Sequence, residues 1–493
     1  MSGKHVVVVG GSMAGLATAC ALARDGHRVT VLEKDAAPLP ATPAEAFARW
    51  ERRGSPQTRH SHAFLARLHN LLRDRAPDLL DLLLASGAER MTFREIVHRA
   101  MPDAELVPED EDITMLACRR LTFEWVQRRY VDGLANVAFL DGVDVKGLVA
   151  GSRAPGERPV VSGVRLADGE TLEADLVIDA SGRRTRIGKW LEELGAAPLR
   201  VESEPCGIFY TSRFYRLREG AEMPNMDGPM GADLGFLKYG IFPGDSRIFS
   251  ITLAASTADD PLRAVIRVPA FEALAAFLPA TRAWVDPEIG EPISEVHSMT
   301  NLRNTRRFLV EDGEPVVLGI TCVGDALIHT NPITGRGCTL GFVGAFALAD
   351  ALREHAGDPR AFALAFDAAI GREIVPWYDA MRQQDRDSIE VAELQRRGED
   401  PFAVNREDGS VDPKAYMRSV LRDGFLPALR EDVSVLRAFM RIFNLLDEAA
   451  DLMKDPAVLA RVLQVYARRE ERDPAERGPS RGEVLAQLER AAA

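Results

Sequence analysis

Two glycine blocks, about three hundred residues apart, carry residue types at spacings that chemistry would need. The first, Gly10-Gly11-Ser12-Met13-Ala14-Gly15, follows the β-branched run Val6 to Val9 and leads into Met13 to Arg24, rich in alanine and leucine. That order predicts strand, tight turn and helix. The first glycine permits the turn, and the last lets the helix pack close to the sheet. Between them the backbone can approach a pyrophosphate at the helix N-terminus, where free N–H groups and the positive end of the dipole lie. Ser12 replaces the middle glycine of the usual G-x-G-x-x-G pattern. It is small, and its hydroxyl is expected to donate to a phosphate. Gly26 ends the helix, and Arg28 to Leu32 is predicted as a second strand, which makes a βαβ unit. Glu33 closes that strand about 20 residues on, where a carboxylate accepts from a ribose hydroxyl. Such a charge-assisted hydrogen bond contributes roughly 1.5–3 kcal/mol. The block on its own means a dinucleotide and leaves NAD and FAD open.

The second block decides between them. Val316 to Val323 is predicted as a buried strand; Gly324-Asp325 follows, then Pro332, Gly335, Gly337 and a helix over Leu340 to Arg353. Asp325 is placed to hold ribityl hydroxyls. The proline-glycine turn would let backbone N–H groups approach the pyrimidine edge of a flavin. The helix dipole there favours negative charge on reduced flavin. An NAD fold gives no reason for this second block, so FAD is the expected cofactor.

Composition sets wider bounds. The chain has 493 residues, 46% hydrophobic and 27% charged, the balance of an ordinary globular protein of two to four units. The net charge of −13 argues against bulk nucleic-acid binding. The five cysteines, Cys20, Cys118, Cys206, Cys322 and Cys338, are scattered without metal or redox spacing, which fits free thiols in a reducing compartment. No secretory signal fits before the first strand, and no apolar run of membrane-spanning length is present. A cytoplasmic protein is expected, with no metal, no nucleic-acid partner and no transmembrane segment. Its oligomeric state is left open.

Between the blocks, Trp50 to His69 reads as basic and irregular, then helical. Leu79 to Ser86 continues as helix, and Leu121 to Val131 is predicted as an amphipathic one. Ala135 to Ile178 changes to short strands with an Asp168-Gly169 hairpin signal. Residues 205–310 are β-rich. Phe249, Ile251 and Leu253 alternate with Ser250 and Thr252, predicting a half-exposed sheet face. Beyond about residue 360 the chain is mostly helical, with a polar break near Gly398 to Asp412, and Arg468 to Arg481 reads as solvated or frayed.

With these residues in view, the sequence resembles the FAD-dependent monooxygenases of the p-hydroxybenzoate hydroxylase fold. The resemblance rests on Gly10 to Leu16, Glu33, Asp179-Ala180-Ser181-Gly182, and Gly324-Asp325 with Pro332, Gly335 and Gly337, and spans roughly residues 5–355. Pro56-Gln57-Thr58-Arg59-His60-Ser61-His62 makes it most similar to bacterial epoxidase-like and tailoring monooxygenases. The resemblance implies that Arg59 and Arg120 contact FAD phosphate or ribityl groups. It implies an α/β fold: a Rossmann-like FAD-binding domain of the glutathione-reductase type, an inserted β-rich substrate domain and a C-terminal helical extension. The expected boundaries are 1–200 with 311–360, then 201–310, then 361–493. The expected cofactor residues are Gly10, Gly11, Ser12, Met13, Ala14, Gly15, Glu33, Arg59, Arg120, Asp325, Pro332, Gly335 and Gly337.

Three positions depart from the family pattern. Ile328 stands where histidine is frequent, with His329 one later, and Thr339 stands where asparagine is frequent. The Asp-Gly motif of aromatic hydroxylases that bind NAD(P)H directly is replaced by Asp179-Ala180-Ser181-Gly182. The electron source is therefore NADH, NADPH or a partner flavin reductase.

The resemblance implies a monooxygenase that uses O2 through a flavin hydroperoxide to hydroxylate or epoxidise an apolar or aromatic small molecule. The chemistry belongs to the cofactor, so catalytic residues are left unassigned. A geranylgeranyl-reductase-type enzyme shares both blocks. A flavin-dependent halogenase is disfavoured by the isolated tryptophans, and a flavin-binding scaffold without turnover by the intact two-part site. His60 and His62 are expected to pack near the flavin rather than hold metal. His297 and His329 are weighed as acid–base groups against ordinary structural histidines. The aromatics Phe209, Tyr210, Phe214, Tyr215, Phe236, Tyr239 and Phe242 are weighed as pocket lining against sheet core.

Overall fold

Val6, Val7 and Val8 are fully buried because their strand, His5–Val9, is the centre of a five-stranded parallel sheet. The computed structural model describes residues 3–153, 157–224, 230–406, 408–448, 451, 454–473 and 477–492. In sheet order the strands are Ile320–Cys322, Leu176–Asp179, His5–Val9, Arg28–Glu33 and Val137–Asp141. Val6 pairs with Val29 on one side and Leu176 on the other. A strand flanked in this way is covered on both faces, which the continuous valine run anticipates. The fingerprint helix, Met13–Arg24, packs against the second-block helix, Arg336–Glu354. The strand expected over Val316 to Val323 shortens to Ile320–Cys322. Gly319 interrupts it at φ 75°, with Val161 O only 2.1 Å from where a Cβ would stand.

The helix expected to be amphipathic, Arg120–Asp132, is instead buried on nearly every side. Arg120, Glu124, Gln127 and Arg128 are all enclosed. Its charged positions look outward in the sequence, but they face partners inside the protein.

A six-stranded sheet forms the β-rich part. Its long central strands, Ile208–Leu217 and Ile248–Ser256, run antiparallel, and His297–Met299 pairs with the first of them. Helices Val268–Phe277 and Arg481–Ala492 cover one face, where Phe271, Leu274, Val484 and Leu488 join the sheet core. The face carrying Ser250 and Thr252 is not half-exposed as the alternation suggested: eight of the nine residues of Ile248–Ser256 are buried. Its hydroxyls face the segment around Ser61 rather than solvent. Arg119, at the start of helix Arg120–Asp132, ties that helix to the β-rich sheet through the fully enclosed Asp245, which also accepts from Thr122. Burial pushes the Asp245 carboxyl up, and the Arg119 guanidinium, with the Arg119 N–H and the Thr122 hydroxyl, more than reverses that.

Beyond residue 358, helices Pro359–Glu373 and Val375–Arg396 run back along the second-block helix and the sheets. The charged stretch expected to be solvated is largely exposed where described, and ion pairs also tether it. Arg468 and Arg472 pair with Glu431, Arg477 with Asp423, and Arg481 with the buried Asp259. Residues 474–476 of that stretch lie outside the described residues. Among the described residues, no helix is long and apolar enough to cross a membrane.

Candidate cofactor site

The first block forms because three of its residues have no side chain. Gly10 adopts φ 108°, and a Cβ there would lie 2.6 Å from Ala180 O. A Cβ on Gly15 would stand 1.8 Å from Gly10 O, and one on Gly11 would meet the Phe139 ring at 2.3 Å. The turn therefore closes onto the next strand, and the helix starts at Met13 with Ser12 at its cap. Its first N–H groups have no partner within the helix, as at any helix start.

The second block meets the first at Ala14. An added Cβ on Gly324, which has φ 57°, would lie 2.7 Å from the Ala14 Cβ; one on Gly341 would lie 3.5 Å away. Arg307 fixes the loop by donating to Asp325 O at 3.3 Å and Ala326 O at 3.1 Å. The Asp325 side chain stays 37% exposed, 3.9 Å from His329 Nε2, so a ligand can reach it. The displaced histidine thus still stands beside the aspartate, and its Nδ1 sits 2.6 Å from Arg303 O. Gly335 takes a left-handed φ of 69° to end the Pro332–Thr334 turn and start the helix. A Cβ on Gly337 would meet nothing within 4 Å.

Arg120 joins the blocks. Its Nη2 donates to Ser12 Oγ at 3.1 Å and to Glu124 at 3.2 Å. Its Nη1 lies 3.2 Å from His62 Nε2 and 3.5 Å from Cys338 Sγ in the second-block helix. Ser12, expected to donate to a phosphate, donates here to Glu124 at 2.8 Å. Glu124 has no exposed surface and also pairs with Arg52 at 3.0 Å. Arg52 continues to Glu33 at 3.1 Å, and Glu33 accepts from Gly11 N at 3.1 Å and Asp35 N at 3.0 Å. A carboxylate has about four acceptor positions, so three in use leave one for a ribose hydroxyl. Burial alone would pull the Arg52 pKa down, but Glu124, Glu33 and Asp35 together hold it above its usual value. The Arg52 and Arg120 guanidiniums stay charged beside the first glycine block.

Arg52 and Glu124 are not among the residues expected from sequence. Arg52 lies in an irregular basic stretch. Glu124 is four residues after Arg120, which reads as a surface pair on any helix. Arg59, which the resemblance links to FAD, donates to Phe47 O at 2.5 Å; none of its hydrogen bonds among the described residues reaches either glycine block.

The Arg59-to-His62 segment sits between the cofactor blocks and the β-rich sheet. His60 Nδ1 lies 3.1 Å from Ser212 Oγ, and Ser212, Thr252, Ser61 and Ser250 form a hydroxyl chain with steps of 2.7–2.8 Å. The His60 ring meets Tyr210 edge-on at 4.8 Å and His297 at 6.3 Å. Burial, with His297 nearby, pulls the His60 pKa down to about 3, so the ring is neutral near pH 7. Tyr210 belongs to an apolar cluster with Cys206, Ile208, Ala254, Met299 and Leu302, against which Ile333 of the second-block turn packs.

From below, Asp385 of helix Val375–Arg396 holds that turn. Its two oxygens accept from Asn331 Nδ2 and Asn304 Nδ2, each at 2.7 Å, and Asn304 Oδ1 accepts from Asn331 N at 2.8 Å.

Whether these residues suit FAD can be judged from the site itself. The first block is a cradle that a Cβ would fill, and the backbone at Gly337 is open to close approach. In the first turn of the second-block helix, Thr339 Oγ1 and Arg336 Nε are buried without a hydrogen-bond partner. Donors, open backbone and the guanidiniums of Arg52, Arg120 and Arg336 fit a long anionic dinucleotide lying across both helix starts.

The chain superposes on PqsL, a probable FAD-dependent monooxygenase from Pseudomonas aeruginosa, with a TM-score of 0.54 at 18% identity, covering 79% of this chain and 96% of that one. It superposes on the anhydrotetracycline hydroxylase OxyS from Streptomyces rimosus with a TM-score of 0.54 at 17% identity, covering 90% and 76%. For the flavin-dependent brominase Bmp2 the TM-score is 0.55 at 16% identity, covering 94% and 100%. The fold is that of FAD-binding monooxygenases. In sequence, the chain is 29% identical over 354 residues to protein Rv3254 of Mycobacterium tuberculosis, covering 68% of this chain and 70% of that protein. The family model described as FAD dependent oxidoreductase, DAO, matches residues 5–351, and the chain belongs to that family.

Proposed function

We propose that this oxidoreductase is a monooxygenase acting on an apolar or aromatic small molecule. The observation that carries the reading is the contact of Ile333, in the second-block turn, with the apolar cluster around Tyr210 and Met299. A substrate on that wall would lie next to the reactive end of a flavin held at the turn. Bound and reduced FAD would supply the activation of O2. The chain's own part is to bind, orient and exclude water.

In this reading the backbone of Gly10, Gly11, Met13, Ala14 and Gly15 takes the pyrophosphate, with Ser12, Arg120 and Arg52 supplying polar contacts and charge. Glu33 takes the ribose and Asp325 the ribityl chain. Pro332, Gly335 and Gly337 shape the approach to the pyrimidine edge. Arg59 borders the substrate side through His60 and His297. Residues 1–200 with 311–360 form the cofactor domain and 201–310 the substrate domain. Helix Val375–Arg396, from the remaining 361–493, supports the flavin turn. Electrons come from NAD(P)H or from a separate flavin reductase, and hydroxylation and epoxidation are both compatible with the wall.

Similarity to Bmp2 over 94% of this chain favours halogen transfer as the second reading. The two separate on mixing the FAD-loaded, reduced protein with oxygen. Oxygen consumption independent of bromide and chloride, with peroxide released when substrate is absent, supports the monooxygenase. Product formation that requires halide supports the second reading. Hydride transfer to substrate without oxygen contradicts both.

A further inference from the structure

Five arginines are buried among the described residues: Arg52, Arg119, Arg120, Arg128 and Arg336. Four have carboxylate partners: Glu33 and Glu124, Asp245, Glu124, and Asp132 with Asp141. Arg336 is the exception. It is 8% exposed, its Nε has no partner, and no ion pair or hydrogen bond holds its guanidinium among the described residues. It rests on the face of Trp377, 5.1 Å from the ring centroid. Burial pulls its pKa down to about 10, which still leaves it charged near neutral pH. The cation–π contact is weaker than the penalty of enclosing a charge without a counter-ion, so the ring does not offset it.

The position of this charge is specific. Arg336 is the first residue of the second-block helix, between Gly335 and Gly337. Its backbone belongs to the turn that receives the flavin in the reading above, and its guanidinium lies within one side-chain length of that turn. Trp377 and Asp385, eight residues apart on one helix, support the two ends of the turn: Trp377 under Arg336 and Asp385 under Asn331. Residues spaced in this way share one helix face.

We propose that Arg336, held by Trp377, is the fixed counter-charge for the pyrimidine edge of reduced FAD. This rests on the second block being the flavin site. Two electrons and one proton convert oxidised FAD to its anionic reduced form, and in an enclosed site a positive charge stabilises that anion more than the neutral oxidised ring. Arg336 thereby raises the midpoint potential of the bound cofactor. The start of the second-block helix contributes in the same direction through its dipole, but Arg336 adds a full charge.

The test uses the FAD-loaded protein without substrate, reduced anaerobically by dithionite against a reference dye. In Arg336→Gln the preference for reduced over oxidised FAD should fall about tenfold, a drop in midpoint of about 30 mV for a two-electron couple. Affinity for oxidised FAD should change far less, and Arg336→Lys should restore most of the difference. An unchanged midpoint in FAD-loaded Arg336→Gln overturns the proposal, as does an equal loss of affinity for both redox states. If that variant does not hold FAD, the wild type decides: its midpoint should move by one proton per two electrons from about pH 6 to pH 8, and two protons per two electrons throughout would overturn it. If the wild type takes up no FAD, the flavin-site reading fails first; if it does and the potentials coincide, only the role of Arg336 fails.

Discussion

Arg120 Nη2 donates to Ser12 Oγ at 3.1 Å across 108 positions of sequence. Because the same guanidinium reaches Cys338 at 3.5 Å, one side chain touches both glycine blocks. The site is therefore a junction of two helix starts, neutralised from beneath by Glu124.

Glu124 balances two guanidiniums, so Glu124→Gln should destabilise the FAD-free protein by about 3–5 kcal/mol, the usual cost of removing one partner from a buried ion pair. FAD brings negative phosphates to the same place. Thermal denaturation with and without FAD should show a larger rise in Tm on FAD addition in the variant than in the wild type.

Two glycine substitutions should behave oppositely. Gly15→Ala places a Cβ 1.8 Å from Gly10 O, and urea unfolding should show a loss of more than about 3 kcal/mol. Gly337→Ala meets nothing within 4 Å, so stability should be unchanged or higher by up to about 1 kcal/mol. If the flavin lies against that backbone, FAD titration of Gly337→Ala should still show a Kd raised about tenfold, or 1.4 kcal/mol.

Asp385→Ala leaves the Nδ2 groups of Asn304 and Asn331 without their acceptor. Each buried donor left unpaired costs about 1–3 kcal/mol, so a total loss of about 2–6 kcal/mol is expected by chemical denaturation. FAD affinity should fall with it if the turn that Asn331 begins receives the flavin, as proposed.

His60 gives an acid-sensitive component of stability. Its folded pKa of about 3 lies below the ordinary histidine value of 6.5. Above 6.5 neither state binds the proton and the contribution is complete. As pH falls from 6.5 towards 3, the unfolded chain takes up a proton that the folded ring refuses, and stability drops by about 1.4 kcal/mol per pH unit. Unfolding free energies of His60→Gln across that window should show a slope shallower by about this amount.

Much of the parallel-sheet layer was legible in the sequence, for a local reason. Val6 to Val9, the glycines and Glu33 act through backbone geometry within one βαβ unit, and order along the chain carries that information. The Pro332 turn, Gly335 and the helix start after it were legible for the same reason. What was not legible depends on what a side chain meets in space. Glu124 is a surface pair by spacing and a buried double counter-ion by packing. Ser250 and Thr252 alternate like an exposed face yet hydrogen-bond with Ser61, nearly two hundred residues away. Asp385 and Trp377 sit in a helix with no motif, and only the fold brings them under the turn from Asn331 to Arg336.

The central claim is that both blocks make one FAD site. FAD titration of the wild type and Asp325→Ala, followed by quenching of flavin fluorescence, tests it most directly. The account predicts one FAD per wild-type chain, and a folded Asp325→Ala protein whose Kd is raised at least about tenfold, or 1.4 kcal/mol. A folded Asp325→Ala protein that holds FAD in full and equally tightly would contradict it.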